Sequence, residues 1–550
     1  LENKTGKLAL AFMGVISLLA YLWNLGLNDI WNPNEGFYAD SVREMLEGGN
    51  YLEISYNYEP RYNKPPFYYW LIALSCKLFG LSEWAIRLPG VLTGLGSVFF
   101  TYKIGAFLKG REFGLWSAIV MMFSFQFAIN ARYASPEVTL TFLITLTLYL
   151  FVVGYHRRSN AYLLGAYLAL AMTLLTKSYP YLVIIGLIIG VYLWFEMRFR
   201  LKPLLRQARY LGLWWGLPLA VVLGLGWSVY MIYVHGDAYY QVFMDETHRR
   251  AFTQESRFQP FYYIEANLWG FLPYSFTFYL GLVWWAVKKF QGFWEERVLR
   301  FSVAWFVVML VVFTAAKGKI PTYFMQGHPA MSLLTAYFIT AFLGKTDAWG
   351  KTFQATYILP GIAFSILAGG VVYFFDGSPI LYLLALLPVV AWVLGLKKNI
   401  GFLQSESFPF TSLGMAYFLF YVVVAPAIEG IYRQHREIGQ VVLREVPDTS
   451  IPLLTQDIWV HSLPYYTHRR VEKELPIDKI MELAFKSAPF LALVREVDAV
   501  AIPGARVLWT GLLYNGSETR TLEFIRHVVK YREGKESRFV KYALLYRPAE

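Results

Sequence analysis

Ionisable and hydrogen-bonding residues gather in short clusters beside long apolar runs, and their types suit the handling of a phosphate. The clusters are Trp31 to Tyr38 (WNPNEGFY), Tyr58 to Lys64 (YEPRYNK), Arg132 with Glu137, Lys177, Asp245 to Arg250 (DETHRR), and Lys317 to Tyr323 (KGKIPTY) with His328 just beyond. Lysine offers phosphate a point charge, and arginine offers a planar fork matched to its oxygens. Glu35 and Glu137 are carboxylates in or beside these clusters, suited to general-base chemistry or to holding a divalent cation. Plainer readings stand beside these. Lys177 can snorkel from a helix end, Glu137 after Pro136 can be a first-turn carboxylate favoured by the helix dipole, and His328 can be a hydrogen-bonded bundle histidine. The 245–250 stretch can be a solvated loop face.

The elements that must position these residues follow from composition. The 550 residues are 56% hydrophobic and 16% charged, with mean hydropathy +0.40, against about 25% charged in a soluble domain. A soluble globule is excluded. Apolar runs at 8–26, 84–107, 112–130, 137–153, 161–176, 179–197, 210–234, 262–288, 299–316, 322–344, 354–375, 379–396 and 408–426 have the length a helix needs to cross roughly 30 Å of hydrocarbon. An all-α polytopic membrane protein of about 13 transmembrane helices is expected, its first run a span rather than a cleaved signal. The stretch 65–80 (PPFYYWLIALSCKLFG) is short, aromatic and carries Lys77, so an interfacial helix is predicted there.

Splitting the chain at residue 426 separates two parts. Residues 427–550 hold 18 basic and 16 acidic residues, which leaves +10 of the total +12 on residues 1–426. Their alternation of strand-like stretches (451–455, 490–495, 539–546) with a helical pattern at 478–486 predicts a small α/β domain. Counting Lys and Arg in alternate loops puts the N-terminus inside, with 19 cations in compact inner linkers. Thirteen spans then place the C-terminal domain outside, with the long loops 27–83 and 235–261. Every cluster of the first paragraph faces the same outer side. Cations there run against the positive-inside bias, and charges near apolar spans are functional candidates. The excess charge is assigned to loop topology and anionic lipid, with no nucleic acid. A lone Cys76 excludes an internal disulfide.

The ordered motifs WNPNEGFYAD, NKPPFYYWLIAL, SEWAIRLPG, ARYASPEVTL, LLTKSYP, ETHRR and KGKIPTYFMQGHPA resemble those of the bacterial lipid A aminoarabinose transferase family. These are C-type glycosyltransferases related to protein O-mannosyltransferases. The resemblance spans the membrane portion and implies transfer of a sugar, 4-amino-4-deoxy-L-arabinose or similar, from a polyprenyl phosphate donor carrier to lipid A or a similar glycolipid. It implies inversion at the sugar, a bacterial inner membrane, and an active site on the periplasmic side. It also implies that Lys64, Arg249 or Arg250, and Tyr323 hold the lipid phosphate, with Lys177 and Lys319 near it. Arg132 and Glu137 match the family's Arg and second acidic position.

The departures from the pattern are specific. Asn34 stands where the family has its catalytic Asp, Phe37 where it has Arg, and Asn63 where it has the acid before Lys-Pro-Pro. An amide accepts no proton at neutral pH, so three explanations stay open: Glu35 serves instead, the chain is an inactivated variant, or the acceptor has changed. A divalent metal is a candidate cofactor, with His248 its surviving ligand. The chain is expected to act as a monomer. A transporter or flippase of lipid-linked sugars is the alternative from another class; it needs the cations but no base, and its usual inverted repeats are not evident.

Overall fold

The computed structural model describes residues 14–15, 18–249, 259–375, 377–396, 407–432, 434–484, 488–516 and 521–549. The chain forms two compact units. One comprises residues 1–23, 62–68 and 88–424, the other 24–61, 69–87 and 425–550.

The first unit is helical. Among the described residues, five helices are long and apolar enough to cross a membrane: Glu83–Lys109, Pro136–Arg157, Leu213–His235, Arg297–Ala315 and Ala348–Phe374. Between and after them come Asn160–Lys177, Pro180–Glu196, Leu381–Leu396 and Ser407–Tyr432, close to the predicted runs. Their ends are locally encoded. Pro136 occupies the first turn behind Ser135, whose hydroxyl accepts from the Glu137 amide, and the helix stops at Arg158 with φ 54°, as proline at the start and a left-handed residue at the end require. Helices Asn160–Lys177 and Leu213–His235 approach closely because Gly224 has no side chain; a Cβ there would lie 2.7 Å from that of Leu174.

Three predicted spans are corrected. Residues 112–130 divide at Ser124 into Arg111–Phe123 and Phe125–Asn130. Residues 262–288 divide into Tyr262–Gly270 and Ser275–Val287 around Pro273, which cannot donate to a helical ladder. Residues 322–344 begin as a tight turn, Pro321–Gly327, before His328–Phe342. Hydropathy is blind to such breaks because the residues on both sides stay apolar. Residues 8–13, 16 and 17 of the first run, 8–26, lie outside the described residues.

The second unit joins residues 24–61 and 69–87 to the C-terminal residues 425–550, whereas the sequence reading grouped loop 27–83 with the membrane part. Helix Asn34–Gly48 is followed by a hairpin, β1 (Ser55–Tyr56) and β2 (Glu59–Pro60). Its two turn residues, Asn57 and Tyr58, both have positive φ, 56° and 61°, the conformation of a two-residue hairpin turn. The turn is held by carboxylates: Asp40 accepts from the Asn57 amide and Glu44 from that of Tyr58, each at 2.8 Å. Asn57 in turn bonds Val471 through both amide atoms, at 3.0 and 2.8 Å.

Val471 opens β4 (Val471–Leu475) of a five-stranded sheet with β3 (Leu453–Gln456), β5 (Phe490–Arg495), β6 (Arg506–Tyr514) and β7 (Phe539–Arg547), in the order β4-β3-β5-β7-β6. β4, β3 and β5 run parallel, and β7 and β6 pair antiparallel. Alternation along β5 sends Leu491 and Leu493 to one core and Phe490, Ala492 and Val494 to the other. The predicted strands at 451–455, 490–495 and 539–546 and the helix at 478–486 correspond to β3, β5, β7 and Ile477–Ala484.

Candidate functional site

In the helical unit, four residues from three separate stretches of sequence meet at helix ends. Lys177, last in its helix, reaches Glu137, first-turn residue of the preceding helix, at 2.5 Å. The second Glu137 oxygen accepts from the Gln326 amide at 3.0 Å. The Lys177 ammonium lies 4.4 Å from the centre of the Tyr323 ring, a cation–π distance. Gln326 and Tyr323 come from the tight turn that interrupts the predicted span at 322, so the break is what turns both side chains toward the pair. The pair is nearly dry, with 13% and 11% of the two side chains exposed. A charge pair so placed keeps its strength only while both partners stay.

A second pair lies in the same unit. Lys64 meets Glu246 at 2.6 Å, and Asn63 donates to the other Glu246 oxygen at 3.1 Å. Residue 63, where the family pattern has an acid, thus binds an acid supplied from the 245–250 loop. Beside it Tyr62 packs against the rings of His235 and Tyr239, at 5.1 and 5.6 Å. Residues 245–249 form one π-helical turn. His248 is exposed, and among the described residues no three His, Cys, Asp or Glu side chains come together as a metal group. The described donors therefore do not compose a metal centre. Arg250 lies outside the described residues, as does the side chain of Arg249.

Other expected phosphate ligands have structural partners. Lys319 donates to the carbonyls of Thr314 and Ala316, at 2.9 and 2.5 Å, and so caps the negative end of the Arg297–Ala315 helix. Arg132 donates to the carbonyls of Ala20 and Tyr21. His328 is fully buried between the Ser124 hydroxyl, at 3.4 Å, and Asn267, at 3.1 Å, the bonding of a bundle histidine.

In the second unit, Asn34 is exposed at the start of its helix, and Glu35 is fully buried. Arg87 donates to Glu35 Oε1 at 2.9 Å and Oε2 at 2.7 Å, and the Trp31 amide donates to Oε2 at 2.9 Å. Arg87 spends its other donors on the carbonyls of Leu25, Asn28 and Asp29. A general base needs contact with the reacting proton, so Glu35 in this position is an anchor for residues 25–35 and not the replacement base. Sequence reasoning passed over Arg87, Glu246 and Gln326. The charge inside AIRLPG and the extra acid before His248 were their visible signals.

Several known proteins are similar to the chain. Residues 63–227 match the family model described as dolichyl-phosphate-mannose-protein mannosyltransferase. An uncharacterised protein of Aquifex aeolicus is 32% identical over 523 residues, covering 94% of this chain and 96% of that protein. The undecaprenyl phosphate-alpha-4-amino-4-deoxy-L-arabinose arabinosyl transferase of Shewanella sediminis is 25% identical over 367 residues, covering 65% of this chain and 64% of the transferase. The chain thus aligns with a little under two thirds of that relative's length. The crystal structure of ArnT from Cupriavidus metallidurans bound to undecaprenyl phosphate superposes with a TM-score of 0.76, covering 98% of both chains at 19% identity.

Proposed function

We propose that the chain is a member of the aminoarabinose transferase family of C-type glycosyltransferases, related to protein O-mannosyltransferases, and a multi-pass membrane enzyme that moves a sugar from a polyprenyl phosphate to a phosphorylated glycolipid. The sugar is 4-amino-4-deoxy-L-arabinose or a close analogue, and the acceptor is lipid A or a similar lipid on the periplasmic face of a bacterial inner membrane. The observation that carries this reading is the Glu137–Lys177–Tyr323–Gln326 assembly. Ionised groups at the ends of apolar helices are costly, and a lipid phosphate among them supplies the reason to keep them.

In this reading Lys64, Arg249 or Arg250, and Tyr323 bind the donor phosphate, and Lys177 adds charge close by. The acceptor oxygen attacks the anomeric carbon while the bond from that carbon to the phosphate oxygen breaks. Polyprenyl phosphate leaves with the electron pair, and the sugar inverts. An acceptor that is itself a phosphate is already ionised at neutral pH, so the step needs orientation and charge compensation rather than a strong base. That accommodates an amide at Asn34, which orients an acceptor by hydrogen bonds. Glu137, held by Lys177 and Gln326, is the second candidate carboxylate for the chemistry.

Radiolabelled polyprenyl-phosphate sugar, mixed with purified protein and lipid A, tests the proposal. Label should pass to the acceptor, and Lys64→Ala or Tyr323→Phe should abolish the passage. Movement of intact donor across a vesicle membrane without cleavage would instead establish the flippase.

A further inference from the structure

In the second unit, four rings from three separate segments close into a cycle. Phe37 lies 4.8 Å from Tyr56 and 5.0 Å from His461, and Trp459 lies 6.2 Å from Tyr56 and 5.0 Å from His461. All four are half-buried. The cycle carries a cation at either end: the Arg61 guanidinium is 3.8 Å from the Phe37 ring centre, and the exposed Lys473 ammonium is 5.1 Å from that of Trp459.

Other cations of the unit are neutralised by acids. Arg43, Arg87 and Arg436 of the same unit are paired with carboxylates. Among the described residues, Arg61 and Lys473 make no ion pair; the Arg61 guanidinium donates to the Tyr69 hydroxyl, at 3.3 Å. The nearby acids are occupied, Glu59 by Arg470 at 3.1 Å and Glu44 by Ser55 and the hairpin turn. A cation over an aromatic face, with no counter-charge, keeps its attraction for an anion.

The arrangement is rigidly built. Gly36 allows the first helical turn to press on residue 461, since a Cβ there would lie 2.7 Å from the His461 carbonyl oxygen. The Tyr56 hydroxyl donates to that same carbonyl at 3.0 Å. His461 stays neutral, because burial and the nearby Lys473 and Arg61 push its pKa down to about 3. Its ring therefore presents a face without adding charge. Phe37 also stands where the family pattern carries Arg, and Arg61 brings a guanidinium back onto that position from the hairpin.

We propose that Phe37, Tyr56, Trp459 and His461, flanked by Arg61 and Lys473, form a binding platform for a phosphorylated saccharide. The C–H faces of the sugar pack on the rings, whose flat area is cheap in entropy to present, and the flanking cations take the phosphates. The platform deepens the functional reading above, on which its ligand class rests: it would receive the headgroup of the glycolipid acceptor. Lipid A and the free bisphosphorylated disaccharide share this chemistry and differ in acyl chains.

The test uses the full-length protein in detergent, with binding read by tryptophan fluorescence. Three probes are compared: lipid A, its acyl-free glucosamine disaccharide bisphosphate, and the same disaccharide without phosphates. The first two should bind, and loss of the phosphates should weaken binding about tenfold or more. Lys473→Gln and Arg61→Gln should each weaken the bisphosphate by about five- to tenfold. Lys473→Gln, an exposed change, should leave the melting temperature unmoved. Lipid A binding that is indifferent to the phosphates and to both variants would overturn the platform. Sugar transfer with an unchanged acceptor KM in both variants would overturn it too, while leaving the transferase reading intact. Saccharide binding at these residues with no transfer to any acceptor would sink the transferase reading and leave the platform standing.

Discussion

Glu35 and Arg87, fifty-two positions apart, are joined by two hydrogen bonds of 2.9 and 2.7 Å, and neither side chain is more than 7% exposed. The carboxylate that reads in sequence as the obvious stand-in for a missing base is thereby committed to holding residues 25–35 in place. Arg87→Ala should leave a buried, unpaired carboxylate and cost about 3–5 kcal/mol. Thermal unfolding of the purified protein measures it. Glu35→Gln should lower stability and leave the pH dependence of transfer unchanged; a shifted pH profile would return Glu35 to a role in the chemistry.

Asn34 leads to a prediction about acceptors. Asn34→Asp supplies a group able to take a proton, an advantage of about 10²–10⁴ only where the attacking group must lose one. Transfer to a sugar hydroxyl should therefore rise steeply. Transfer to a phosphate oxygen should change by less than about tenfold. Comparing rates on hydroxyl and phosphate acceptors checks this, and equal gains on both would contradict an ionised natural acceptor.

The Glu137–Lys177 pair should behave as a unit. Lys177→Met leaves Glu137 buried with only Gln326 to satisfy it, so the single variant should lose more stability than the double variant Glu137→Gln/Lys177→Met. A double-mutant cycle on melting temperature and transfer rate reads the coupling, expected at about 1–3 kcal/mol.

Glu246 competes with any phosphate for Lys64, since both use the same ammonium. Glu246→Gln should tighten polyprenyl phosphate binding by a few-fold, whereas Lys64→Ala should weaken it about tenfold or more. Equilibrium binding of a fluorescent polyprenyl phosphate separates the two. Loss of affinity in Glu246→Gln would mean that the glutamate orients Lys64 rather than occupying it.

Acidity gives a further handle. Burial first, and the neighbouring Asp40 charge second, push the Glu44 carboxyl up to about 7 from its ordinary 4.5. A carboxyl raised in the folded state lends stability that is fully present below about 4.5 and is lost as the pH climbs through about 7. Glu44→Gln, which mimics the protonated form, should raise stability at pH 8 by on the order of 1–2 kcal/mol and flatten the profile between pH 4.5 and 8. Melting curves across that range decide it.

Much of this was legible in the sequence. The ends of helix Pro136–Arg157 follow from Ser135, Pro136 and a charged stop, all local signals. The hairpin β1–β2 hides its turn, because Asn57–Tyr58 is not a pair that announces positive φ and is held there by Asp40 and Glu44 from another element. Breaks at Ser124 and Pro273 were invisible for the opposite reason, as apolar residues continue across them.

The sequence by itself determined that the chain crosses a membrane, where its charged clusters fall, and which motifs they carry, because hydropathy and residue type are properties of short stretches. Only the tertiary structure decided what each charge does. Lys319 caps a helix, Glu35 binds Arg87, Glu246 reaches Lys64 from a distant loop, and Arg61 with Lys473 faces aromatic rings in place of acids. Pairing energy depends on distance and exclusion of water, and both are set by which segments fold against one another rather than by their order along the chain.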